Sequence, residues 1–176
     1  MGAGWCAGLV AGTSLTAIEA SKIIRPLDVL VAGSAVQGHV QLDPHRIACV
    51  GLSYGGYYAL VAPALEPRIA VSVCSCYAFV QELRYREDEL SVPSDFRFPD
   101  RFTLFREPEV CALICPRALQ IQAGVSDMYT HRDPALAPAT AAYWERVGSD
   151  RFEYKRFEGG HEWNDESGWA FVERHL

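Results

Sequence analysis

The sequence predicts an α/β fold, a parallel sheet flanked by helices, on three observations. Short apolar or alternating runs rich in Val, Ile, Phe and Tyr recur along the chain as strand signals. Longer stretches with helical spacing separate them. The two kinds of segment alternate, which is the pattern of strands joined by crossover helices rather than by hairpins. With 176 residues, 49% of them hydrophobic, the chain is large enough to bury one core.

Taken in order, a helix is expected from Leu15 to about Val36, ending near Gly38. Pro26 lies within it and should kink or split it, because proline removes one N–H and crowds the preceding turn. A strand over Arg46–Leu52, a helix over Tyr54–Leu65 and a strand over Ile69–Cys76 follow. The irregular stretch from Tyr77 to about Pro108 is too long for a simple connector. It carries Tyr77, Phe79, Tyr85, Phe96, Phe98, Phe102 and Phe105 among several arginines. Two readings are equal there: a lid whose aromatics line a pocket, or an insertion whose aromatics pack on the domain. The run Arg84–Glu89 reads as a solvated mixed-charge face. Beyond it come a short helix near Glu109–Ile114, a strand over Ala118–Ala123, a helix over Pro134–Val147, a strand over Phe152–Phe157 and a helix over Asn164–His175. No repeat, low-complexity tract or linker interrupts the chain. It reads as one domain, 1–176, with a lid or insertion at 77–108.

The chemistry is concentrated at three strand ends. Gly51-Leu52-Ser53-Tyr54-Gly55 follows the first strand and opens a helix. In a G-x-S-x-G turn the serine sits on a sharp, strained bend, with Gly51 and Gly55 allowing the backbone to make it. The helix N-terminus behind the serine, beginning with the Tyr54 N–H, faces an oxyanion. Asp127 follows the Ala118–Ala123 strand in Gly124-Val125-Ser126-Asp127. A carboxylate there would orient an imidazole, although a turn aspartate or a helix cap is as common. His161 follows the Phe152–Phe157 strand in Glu158-Gly159-Gly160-His161, on a loop flexible enough to reach a distant serine; taken alone it would pass for a surface histidine. Asp133, Asp150 and Asp165 are weaker rivals for the acid, as are His39, His45, His131 and His175 for the base. Parallel strands place their C-terminal ends on one side of a sheet, so Ser53, Asp127 and His161 can converge as nucleophile, acid and base.

The chain order Ser53, Asp127, His161 resembles that of the α/β-hydrolase superfamily. More narrowly the chain is similar to its acetyl xylan esterase-like, dienelactone hydrolase-like and prolyl oligopeptidase-like branch. The segments that carry this are Leu42-Asp43-Pro44-His45-Arg46-Ile47, Pro67-Arg68-Ile69-Ala70, Cys115-Pro116-Arg117-Ala118-Leu119 and Phe157-Glu158-Gly159-Gly160-His161. The resemblance covers about residues 14–176 and implies the C-terminal part of that fold. In the family about four strands and a helix precede this part, so the fold expected here is partial and lacks the N-terminal strands. The strand that supplies the second oxyanion donor is among them. Some relatives place the acid after the strand that follows the elbow helix, so Glu82 or Glu87 could replace Asp127.

The resemblance implies a serine hydrolase of carboxylic esters, of carbohydrate or small acyl type, that needs no metal or organic cofactor. A catalytically inactive remnant serving as an interaction module, and a peptidase of the prolyl oligopeptidase type, are the alternatives. The formal net charge of −6, without a basic cluster interleaved with aromatics, argues against nucleic acid. No apolar run is long enough to span a membrane. The first residues lack the basic start of a signal peptide, and the six cysteines show no Cys-x-x-Cys pair. Reduced cysteines, no zinc site and a cytoplasmic setting are therefore expected. An uncovered edge at the nucleophile strand would favour self-association.

Overall fold

The computed structural model describes residues 12–33, 42–78, 101–129 and 135–176. In chain order the elements are α1 (Leu15–Gly33), β1 (Ile47–Leu52), α2 (Tyr54–Leu65), β2 (Ile69–Ser75), α3 (Arg101–Leu104), α4 (Glu107–Ala112), β3 (Ala118–Gly124), α5 (Leu136–Arg146), β4 (Phe152–Phe157) and α6 (Asp165–His175). They fall into two compact units: Met1–Gln41 with Gln81–Arg106, and Leu42–Val80 with Glu107–Leu176.

In the first unit α1 starts where Ser14 Oγ accepts the Ala17 N–H at 3.1 Å, an N-terminal cap. It runs through Pro26 as one element, so of the expected kink or split the split does not occur. Proline deletes one backbone donor, and the turns on either side continue the helix. α3 lies within the stretch read as irregular. Residues 79–100, which hold Glu82, Glu87 and much of the lid-or-insertion segment, lie outside the described residues, as do 34–41.

The second unit is a parallel four-stranded sheet in the order β1-β2-β3-β4. Its register pairs Val50 with Val73, Ser75 with Gln122 and Gly124 with Phe157. β2 and β3 are almost wholly buried, whereas β1 and β4 are partly exposed, as befits central and edge strands. Alternation along β2 divides its side chains between two helical layers. Val71 and Val73 pack with Ala118, Phe171 and Val172 beneath α6. Ser72 points the other way, its hydroxyl donating to the Ala59 carbonyl of α2. Tyr77, an aromatic of the lid-or-insertion segment, is buried and stacks at 5.1 Å on Tyr57 of α2, so it belongs to the core.

β3 buries Gln120 and Gln122 completely among its apolar residues. Both amides are satisfied, as burial demands. Gln120 Nε2 donates to Glu153 at 2.8 Å and to Ser167 Oγ at 3.0 Å. Gln122 Nε2 donates to Gln120 Oε1 at 2.9 Å and to the Asn164 carbonyl at 3.1 Å, and its Oε1 accepts the Asn164 N–H at 3.2 Å. This ladder ties β3 to the start of α6.

Arg117, just before β3, closes the opposite end of the sheet. Its guanidinium donates to the carbonyls of Pro63, Glu66, Ile69 and Leu113 at 2.7–3.2 Å. A planar fork fits four acceptors where a point charge would not. Arg117→Met removes these four bonds and should lower the unfolding free energy by about 2–3 kcal/mol, read as a shifted urea midpoint with unchanged slope.

The described cysteines are free thiols. Burial raises their pKa values, to about 11 at Cys49 and about 12 at Cys111, which makes them poor nucleophiles.

Candidate active site

Ser53 joins β1 to α2 with φ 58° and ψ −118°, a conformation that costs a non-glycine residue about 1–3 kcal/mol. The bend is held by Ser53 N–H on the Ser75 carbonyl at 2.8 Å and by the first helical bond, Tyr57 N–H to Ser53 O, at 3.1 Å. The side chain caps nothing and is half-buried, which leaves the hydroxyl at the helix entrance. The steric demand of this turn differs from the expected one. A Cβ on Gly51 would strike the Gly55 carbonyl, and one on Gly56 would come within 2.7 Å of the Ser75 carbonyl. Gly55 itself has open space around such a Cβ among the described residues. The turn needs room at Gly51 and Gly56, and Gly55 supplies only the backbone that Gly51 faces. Gly55→Ala should therefore be neutral or stabilising, by up to about 1 kcal/mol as for any exposed helical glycine. Gly51→Ala should cost several times more in the same thermal melt.

Asp127 follows β3 in a turn closed by its own N–H on the Gly124 carbonyl at 3.1 Å. Its carboxylate is buried. Oδ1 accepts the Tyr129 N–H at 2.9 Å and lies 3.2 Å from His161 Nδ1. The imidazole is about one-third exposed and meets the Tyr129 ring edge-on at 5.0 Å.

The loop carrying His161 is seated on its neighbours by backbone groups. Val125 N–H donates to Phe157 O at 3.0 Å and Ser126 N–H to Gly159 O at 2.9 Å. Gly124 lies so close to this loop that a Cβ there would strike the Gly160 carbonyl. Ser75 Oγ and Cys76 Sγ, at the end of β2, donate to the Glu162 carbonyl at 3.1 and 3.3 Å. Gln122 holds Asn164 beyond it. The loop thus crosses the end of β3 to reach β2, whose Ser75 also holds the backbone of Ser53.

Asp127 and His161 are therefore directly paired, and Ser53 shares their end of the sheet through Ser75. Among the described residues, no side-chain hydrogen bond joins Ser53 to His161. The rivals lie elsewhere: His45 precedes β1 and Asp150 precedes β4, both at the opposite end of the sheet. His175 packs on Phe171 at 4.5 Å, where burial and then Arg174 lower its pKa. His39, His131 and Asp133 lie outside the described residues. Gly56, Ser75, Cys76, Gln122 and Tyr129 were not anticipated from sequence. Gly124 carried one signal, a glycine at a strand end, which often marks close backbone approach.

This parallel sheet with helices on both faces and an elbow serine after a strand is part of an α/β-hydrolase fold. The family model for acetyl xylan esterase (AXE1) matches residues 25–90, a stretch that includes the elbow. Over 138 residues the chain is 28% identical to YtaP of Bacillus subtilis (strain 168), covering 76% of this chain and 46% of YtaP. Among solved structures it is similar to a glucuronoyl esterase from Solibacter usitatus, with a TM-score of 0.72 and 17% identity over 92% of this chain and 48% of the other. A second, a CE15 glucuronoyl esterase from Caldicellulosiruptor kristjansonii, gives 0.68 and 22% over 93% and 51%. The chain spans about half the length of these relatives. Among the described residues, no helix is long and apolar enough to cross a membrane.

Proposed function

We propose that these residues carry the nucleophile, base and acid of a serine esterase acting on small carbohydrate esters. The observation that carries the reading is the Asp127–His161 pair, held over the strand ends at which Ser53 occupies its left-handed bend. The similarity to acetyl xylan and glucuronoyl esterases supports the carbohydrate class.

Ser53 Oγ attacks the ester carbonyl carbon while His161 Nε2 takes its proton. Asp127 Oδ1, bonded to Nδ1, keeps the proton on that nitrogen so that Nε2 is free to accept, and it stabilises the imidazolium that forms. The Tyr54 N–H, at the positive end of α2, donates to the oxyanion. The C–O bond to the alcohol then breaks, with His161 returning its proton to the departing oxygen. Water, deprotonated by His161, releases the acid from the acyl-Ser53 ester. None of these steps calls on a metal or organic cofactor. β1, with Val50 and Leu52 exposed, is the edge through which the sheet would pair with a further strand or a second copy.

A fluorophosphonate probe tests the reading. It should label the chain at Ser53, and labelling should disappear in Ser53→Ala. A folded chain that resists the probe is a non-catalytic relative of these esterases.

A further inference from the structure

We propose that Cys76, Asp127 and His161 form a binding site for a thiophilic divalent cation of the Zn2+ type, whose occupancy reversibly silences the imidazole. One sulfur, one carboxylate oxygen and one imidazole nitrogen from these residues all lie within 4.8 Å of one another. The three residues are far apart in sequence, which is why no metal-ligand spacing announces them. The fold assembles them from the ends of β2, β3 and β4.

The thiol is aimed at this place by its backbone. Cys76 has φ 51°, and its N–H is held by the Gln122 carbonyl at 2.9 Å. Sγ points at the Glu162 carbonyl at 3.3 Å and the Gly160 carbonyl at 3.7 Å, the backbone on either side of His161. Cys76 and Asp127 are buried, and His161 is exposed, so the cluster has a closed floor and a solvent side.

Zinc bonds of about 2.3 Å to sulfur and about 2.0–2.2 Å to nitrogen and oxygen set donor separations near 3.5 Å in a tetrahedron. The His161–Asp127 pair is already at 3.2 Å. The widest pair must close by about 1 Å, within reach of side-chain rotation. Three protein ligands with a fourth, open vertex suit Zn2+, and the thiolate disfavours Mg2+ and Ca2+. Binding displaces the thiol proton to solvent. An imidazole that gives one nitrogen to a metal keeps its proton on the other, so it has no lone pair left for the Ser53 proton. Cation binding stands on the geometry alone; the silencing rests on the proposed esterase chemistry.

Cobalt(II) provides the test, because a thiolate ligand gives it a charge-transfer band in the near ultraviolet. Titration of the reduced full chain should raise this band to saturation at about one Co2+ per chain, and Zn2+ should bleach it. Cys76→Ser retains a donor for the Glu162 and Gly160 carbonyls and should lose the band while keeping the wild-type thermal melt. Cys115→Ser should keep the band. His161→Gln, a second variant, should weaken Co2+ binding roughly 10–100-fold. A folded chain without the band, or a band that survives Cys76→Ser, overturns the site. In a parallel assay Zn2+ should stop ester turnover, a chelator should restore it, and Cys76→Ser should need at least about tenfold more Zn2+. Inhibition unchanged in Cys76→Ser overturns the silencing. A chain that shows the band but no Ser53-dependent turnover keeps the site and loses the esterase reading.

Discussion

Ser53→Ala should lower p-nitrophenyl acetate turnover by about 10⁶-fold, to the same floor as His161→Ala and the double variant. The three floors should coincide because, in the proposed chemistry, serine and histidine act as one unit. Once the nucleophile is gone the base has nothing to deprotonate, and the second substitution removes nothing more. Stability should stay within about 0.5 kcal/mol, because the hydroxyl makes no capping bond and alanine meets the same backbone conformation as serine. Equal turnover in a folded Ser53→Ala variant would sink the assignment of this residue. Floors that differ by orders of magnitude would instead mean that the serine and the imidazole do not work together.

The second large effect lies at Gly124, a residue with no chemistry of its own. Its missing side chain lets the acid turn approach the loop of His161, whose Gly159 and Gly160 carbonyls occupy the space a Cβ would need. Both obstacles are backbone, so neither can rotate away. Gly124→Ala must push the loop outwards and strain the bonds that seat it, Val125 N–H to Phe157 O and Ser126 N–H to Gly159 O. The expected cost is about 2–4 kcal/mol of stability, together with turnover lost by at least about 100-fold, since a displacement of about 1 Å in a catalytic group has that effect. Thermal melts and kcat on the same samples check both. A variant with full stability and activity would mean that the two loops are not in contact in solution.

The strands and helices of the second unit were legible because each has a local cause. β2 is largely apolar, β4 alternates, and α2 and α6 begin at the turn-forming residues Ser53 and Asn164. The three candidate chemical residues were legible for a related reason, since each stands just after a strand and parallel strands share a direction. What holds them was not legible. Ser75 and Cys76 act on the Glu162 carbonyl, Gln122 acts on Asn164, and Gly124 makes room for Gly160; all of these are contacts between distant segments. The glycine pair of the elbow shows the limit of a motif. The pattern names Gly55, while the close approach of β2 puts the demand on Gly56. The burial of Gln120 and Gln122 was not legible because their partners Ser167 and Asn164 arrive some forty residues later. Pro26 lies inside α1 without splitting it, because the loss of one donor does not by itself end a helix.

The ladder from β3 to α6 also dictates when the site can exist during synthesis. A ribosome delivers Ser53 and Asp127 well before His161, and the loop holding the imidazole is anchored on its far side by Ser75 and Cys76 on the Glu162 carbonyl, by Gln122 on Asn164 and by α6 closing over Val71, Val73 and Ala118. A nascent chain that has emerged as far as β3 therefore displays the elbow serine before the imidazole proposed to activate it has been made. The contacts that seat the imidazole beside Asp127 are complete once α6 has emerged and docked, so in the proposed chemistry the pairing of base and acid is a late event in the folding of this unit.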